Sequence, residues 1–79
     1  MEAMMRAIRE VVHSNPEILG GTPVFVGTRV PLRNLIDYLE GGETVDSFLN
    51  SFPSVARDQA EGALELAEQV LSDGARAAG

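Results

Sequence analysis

Proline and glycine punctuation constrains this chain more than any other feature of its sequence. Between Asn15 and Pro31 stand Pro16, Gly20, Gly21, Pro23, Gly27 and Pro31. Proline lacks an amide donor, and glycine is a poor helix former. That stretch is therefore loop and short strand. Within it, Val24-Phe25-Val26 is a β-branched and aromatic run between Pro23 and Gly27, which predicts a short strand. Its natural partner is an antiparallel strand over residues 10–13. Ser14-x-x-Glu17 imitates a capping box, but Gly20-Gly21 leaves no room for the helix it would open. The segment before it is open to two readings. Met4, Met5, Ile8, Val11 and Val12 have helical spacing, while Glu10 to His13 reads equally well as strand.

The same punctuation delimits three helices downstream. Pro31 suits a first helical position, Leu32, Leu35, Ile36 and Leu39 form one stripe, and Gly41-Gly42 ends it. Thr44 caps a second helix carrying Val45, Phe48, Leu49 and Phe52, which Pro53 stops. Ser54 is read as the cap of a third, with Ala56, Ala60, Ala63, Leu64, Ala67, Val70 and Leu71 as its inner face. The expected spans are 32–41, 44–52 and 55–72, giving one domain over residues 1–72. The small residues of 73–79 read as a flexible tail.

A chain of 79 residues holds only a small core. It has no cysteine and a single histidine, His13, which removes disulfides and leaves no recognisable metal site. Help from a second copy or a partner is the expectation that remains, with Val24, Phe25 and Val26 as the candidate dimer contact. No catalytic motif or phosphate loop is present, so neither an enzymatic activity nor a cofactor is expected. Arg6, Arg9 and Glu10 interrupt the opening segment, which excludes a signal peptide or a membrane span there; a cytoplasmic location follows by default.

Charge is divided along the chain. Residues 1–36 carry four arginines and three acids, and residues 37–79 carry nine acids and two arginines. The whole, at a formal −6, disfavours loose nucleic-acid binding, which rests on phosphate neutralisation. It suits an acidic half that meets a basic partner.

The two helices around Ser51-Phe52-Pro53-Ser54 have the proportions of a helix-turn-helix, although spacing alone favours a plain helical corner, the commoner arrangement. The run from Asn15 to Pro31, with Gly20-Gly21-Thr22-Pro23, the apolar Val24-Phe25-Val26 and then Gly27-Thr28-Arg29-Val30-Pro31, resembles the signature of the DUF433 family. Leu39 to Gly42, Glu43-Thr44-Val45, Phe52-Pro53 and Ala63-Leu64 extend the resemblance, which covers about Val12 to Val70. It implies a mainly α fold: a three-helix, homeodomain-like (helix-turn-helix) bundle with a short N-terminal β-hairpin or strand pair. It also implies, for some members, the role of antitoxin to a PIN-like nuclease.

Three functions are consistent with this reading. The first is an antitoxin that neutralises a toxin and regulates its own operon as a DNA-binding homodimer. The second is a transcription regulator without a toxin, and the third an adaptor domain that touches no nucleic acid. Candidate contacts to operator DNA are Thr28, Arg29, Arg33, Ser54 and Arg57. Arg29 has a competing structural use, as a clamp on the Gly27 turn. The outward face of the last helix is acidic and suits base readout poorly. Glu61, Glu65 and Glu68, with Leu66 as an apolar anchor, are the candidate surface for the toxin.

Overall fold

A computed structural model describes residues 2–79. Helix α1, Glu2–Val11, runs directly into strand β1, Val12–His13. The helical spacing of Met4, Met5, Ile8 and Val11 thus wins over the strand reading, and the strand is confined to the two residues after it. Strand β2 is Val24–Phe25, antiparallel to β1, with Val12 opposite Phe25 and His13 opposite Val24. Helices α2 (Leu32–Glu40), α3 (Val45–Ser51) and α4 (Arg57–Ala78) follow. The protein is mainly helical with a small antiparallel sheet, and α1 is an additional helix.

Between the strands, Asn15 Oδ1 accepts the Glu17 amide at 2.9 Å in place of any helical cap. The chain then makes one turn of 3-10 helix, Leu19–Gly21. Gly20 and Gly21 take positive φ there, at 66° and 94°, which glycine tolerates without steric cost.

All four aromatic side chains of the sequence meet at one place. Phe48 lies 6.0 Å from Phe25, 5.7 Å from Tyr38 and 5.1 Å from Phe52, between ring centroids. Phe25 and Phe48 are wholly buried, with Leu35, Val55 and Ala60 around them. Burying each phenylalanine stabilises by about 1.5–3 kcal/mol, and each aromatic pair adds about 0.5–1.5 kcal/mol. This cluster joins β2, α2, α3 and the turn after α3 into one core.

The turn from β2 to α2 is closed by its own hydrogen bonds. Phe25 N–H donates to Val30 O, and Thr28 N–H donates to Phe25 O, both at 3.0 Å. The buried Thr28 hydroxyl donates to Phe25 O at 2.9 Å and accepts from Val30 N–H at 3.0 Å. Gly27 supplies the φ of 79° that reverses the chain, in the left-handed region where a Cβ is strained. Gln59 reaches over from α4 and donates to Val26 O at 2.8 Å.

Helix α3 begins as its sequence suggests, with the Thr44 hydroxyl accepting from Ser47 N–H at 3.0 Å. Helix α4 does not. Ser54 is part of a turn closed by Val55 N–H on Phe52 O, and Val55 is buried as its anchor. The N-cap is Ala56 instead, which has no side-chain acceptor; Gln59 Oε1 receives the Ala56 N–H at 3.0 Å. This is one half of a capping box.

At its other end α4 continues through residues 73–78, where the sequence suggested a tail. Alanine is the best helix former, and Arg76 pairs with Asp73 within the last turns. This overhang raises the radius of gyration to 13.2 Å, against about 12 Å for a compact chain of this length. It also revises the inner face. Ala60 is buried and Ala63 and Leu64 are half-buried, but Ala67, Val70 and Leu71 are exposed. They line an apolar groove of about 310 Å³ with Ile8, Val11 and Leu66.

Two stability predictions follow from these contacts. A methyl group at Gly62 would stand 3.5 Å from a Val11 methyl, an ordinary contact, and one at Gly74 would meet open space. Gly62→Ala and Gly74→Ala should each stabilise by about 0.5–1 kcal/mol, read as a higher urea midpoint; a lower midpoint would show that α4 packs differently. Thr28→Val keeps the side chain's shape but leaves the Val30 amide without its acceptor. It should cost about 1–3 kcal/mol, and an unchanged midpoint would contradict the turn's hydrogen bonding.

Candidate functional site

The arrangement of charge decides which surfaces are available to a partner. Of the six arginines, four are paired within the chain. Arg9 meets Glu2 at 3.1 Å, and Arg33 meets Asp37 at 3.0 Å and Glu40 at 3.8 Å. Arg57 bridges Asp46 on α3 and Glu61 on its own helix, the latter at 3.5 Å. Arg76 meets Asp73 at 2.7 Å. The hydrogen bond to Asp46 and that carboxylate's charge raise the pKa of Arg57 above its ordinary value; desolvation opposes them, and Glu61 adds a smaller upward push. Arg6 and Arg29 have no carboxylate within ion-pair distance among the described residues.

This pairing separates the candidate nucleic-acid contacts. Arg33 and Arg57 are exposed, but their guanidiniums already face carboxylates. A phosphate at either would have to displace a carboxylate or share the cation with it. Thr28 is buried, and its hydroxyl is committed to the turn as donor and acceptor. Arg29 and Ser54 are brought together. They line one cleft of about 640 Å³ with His13, Ile18, Gly27, Thr28 and Val30. Arg29 belongs to the rigid turn after β2, and Ser54 to the turn before α4. Gln59 fixes one against the other, since its amide nitrogen holds Val26 O while its oxygen holds Ala56 N–H. Sequence reasoning missed Gln59, although a glutamine three residues into a helix is a recognisable capping signal. It also set His13 aside, because only the β1–β2 register shows which cleft the imidazole borders.

The surface expected to meet a toxin is also divided. Glu61, Glu65 and Glu68 are exposed along α4, and their spacing puts them on one face. Glu61 is tied to Arg57, and Glu68 accepts from the Ser72 hydroxyl. Neither Glu65 nor Glu68 has a cationic partner among the described residues. Leu66 is not on that face. It is half-buried in the groove between α1 and α4, so the apolar anchor proposed for the acidic surface belongs to a different one.

The expected dimer contact is corrected in the same way. Val24 and Phe25 are wholly buried within their own chain. The free edge of β2 is covered by the chain itself, through a bridge from Val24 to Pro31. Val26 alone keeps some exposure, at 36 %. The larger exposed apolar side chains lie elsewhere, with Leu71 74 % and Met5 46 % accessible. Among the described residues no cluster of acids and histidine stands close enough to hold a metal ion, and no helix is long and apolar enough to cross a membrane.

Comparison with known proteins agrees with the sequence signature. The uncharacterized protein y4eO of Sinorhizobium fredii (strain NBRC 101917 / NGR234) is 45 % identical over 51 residues, 65 % of this chain and 23 % of its own length. The chain thus spans about a quarter of that relative. No solved structure matches. Residues 12–67, which run from β1 through the Arg29 turn into α4, match the family described as protein of unknown function (DUF433), and the chain belongs to that family.

Proposed function

We propose that this chain is a non-enzymatic, antitoxin-like interaction module that neutralises a basic partner of the PIN-like nuclease kind through the outer face of α4. One observation carries this reading. Two of the three arginines that would serve an operator, Arg33 and Arg57, face the chain's own carboxylates, whereas Glu65 and Glu68 stand exposed without cations among the described residues. A surface of that kind repels phosphate and attracts a protein whose own cleft is built to hold a polyanion. The long helix presents these carboxylates on a rigid support, so less ordering entropy is lost on binding than from a flexible segment. Operator binding draws no comparable support from the charge distribution.

A homodimer belongs to the same proposal, with its contact moved from β2 to the groove between α1 and α4. Leu71 projects at the lip of a groove whose wall it shares with Ile8, Val11 and Val70. A knob and a hole on one surface are what a two-fold contact requires.

The toxin-facing surface is tested by Glu65→Arg combined with Glu68→Arg. These two are cleaner than Glu61, whose reversal would also disturb the Arg57 bridge to α3. The double variant should fold with an unchanged circular dichroism spectrum and bind a PIN-like nuclease that the parent chain neutralises about 10–100-fold more weakly, at about 1 kcal/mol per exposed charge pair. Unchanged protection of cells from that nuclease would remove α4 from the interface. For the dimer, Leu71→Glu should convert a dimeric species to monomer by light scattering at micromolar concentration. A monomer in the parent chain, or a dimer in the variant, would dispose of the groove contact.

A further inference from the structure

We infer that the cleft between the Gly27–Val30 turn and the Pro53–Val55 turn is a recognition site for a single carboxylate of a protein partner, gripped by Arg29. The turn presents this side chain on a preformed support. Its backbone is fixed by Phe25 N–H on Val30 O and by the two hydrogen bonds of the buried Thr28 hydroxyl. Gln59 ties the turn to the start of α4. A structural arginine in such a place would turn inward onto a carbonyl or a carboxylate. Arg29 does neither: it is exposed and takes no hydrogen bond or ion pair within the chain among the described residues.

The rest of the cleft is consistent with an oxyanion. His13 and Ser54 offer an imidazole and a hydroxyl, Ile18 and Val30 are apolar, and no carboxylate lines the site. In a chain of net charge −6, a cavity with one free guanidinium and no acid is a local reversal of sign. The planar fork of arginine matches the two oxygens of a carboxylate, and apolar walls reduce the screening of that contact. The surroundings separate a carboxylate from a nucleic-acid phosphate. A phosphodiester chain extends beyond the cleft over a protein of net charge −6, whose helix α4 carries an exposed carboxylate, Asp58, in its first turn. One carboxylate on a protein side chain, or at a chain end, fits without that repulsion. The site is distinct from the outer face of α4, and either surface could fail without the other.

The test is a titration of the full-length, ¹⁵N-labelled chain with sodium acetate, matched against sodium chloride at equal ionic strength. The Nε–H signal of Arg29 and the amides of Gly27, Val30 and Ser54 are followed. Acetate should shift them saturably and chloride should not. Arg29→Gln should raise the apparent dissociation constant at least tenfold, and Arg29→Lys, which keeps the charge without the fork, should fall between. Both changes are on the surface, and unshifted signals from the Phe48 core will show that the fold is intact. Linear shifts equal to those in chloride, or a Gln variant that titrates like the parent, would overturn the site. A short DNA duplex that saturates the same signals at micromolar concentration, with acetate unable to compete, would assign the cleft to phosphate and overturn the carboxylate.

Discussion

Phe48 is the contact on which the rest of the structure depends. Its ring touches an aromatic from β2, one from α2 and one at the end of α3, so a single side chain fixes three otherwise independent elements. A chain this short has no second core to take over that function. The sheet consists of two residue pairs and could not persist alone. It is held because Phe25 is drawn under α3, and pairing β2 with β1 then seats α1 beside α4. The turn that carries Arg29 inherits its position from the same burial, because Phe25 supplies both the amide and the carbonyl that close it.

Much of this was legible in the sequence because each local signal agreed with the tertiary demand. Pro31, the Gly41-Gly42 pair, Thr44 and Pro53 bound α2 and α3 within a residue or so of where they fall, and the aromatic and aliphatic stripes name the core. The discrepancies have physical causes. Ser54 is a good cap by chemistry, but Val55 must be buried, and that contact delays α4 to Arg57. The apolar residues at 67, 70 and 71 have core spacing, yet periodicity cannot tell whether another helix stands opposite them. Here α1 lies alongside without closing over them, and the stripe is left as one wall of an open groove. Residues 73–78 lack an apolar anchor and read as a tail in sequence; the structure continues α4 through them, where alanine's helix propensity and the Asp73–Arg76 pair favour it.

The candidate sites were less legible, because residue type does not reveal who already holds a side chain. Arg29, Arg33 and Arg57 look alike in sequence. Arg33 stands four residues before Asp37, a spacing from which the ion pair could have been read. The reach of Arg57 to Asp46 crosses between helices and could not. Thr28 likewise presents a hydroxyl on paper that the folded turn consumes. Val24 and Phe25 suit a dimer contact only if the sheet edge is open, and the Val24–Pro31 bridge closes it.

The intramolecular pairing of arginines also determines how the surface responds to salt. The side chains of these pairs are all more than half exposed, so rising ionic strength weakens them. The same screening weakens attraction between a released guanidinium and a phosphate backbone, over the same range of about 8–10 Å. The two losses proceed together. No salt concentration therefore frees Arg33 or Arg57 while leaving a polyanion strongly attracted to them. The chain's preference among partners is in this sense buffered: changing the salt concentration alters how strongly the surface attracts, but not which sign of charge it favours.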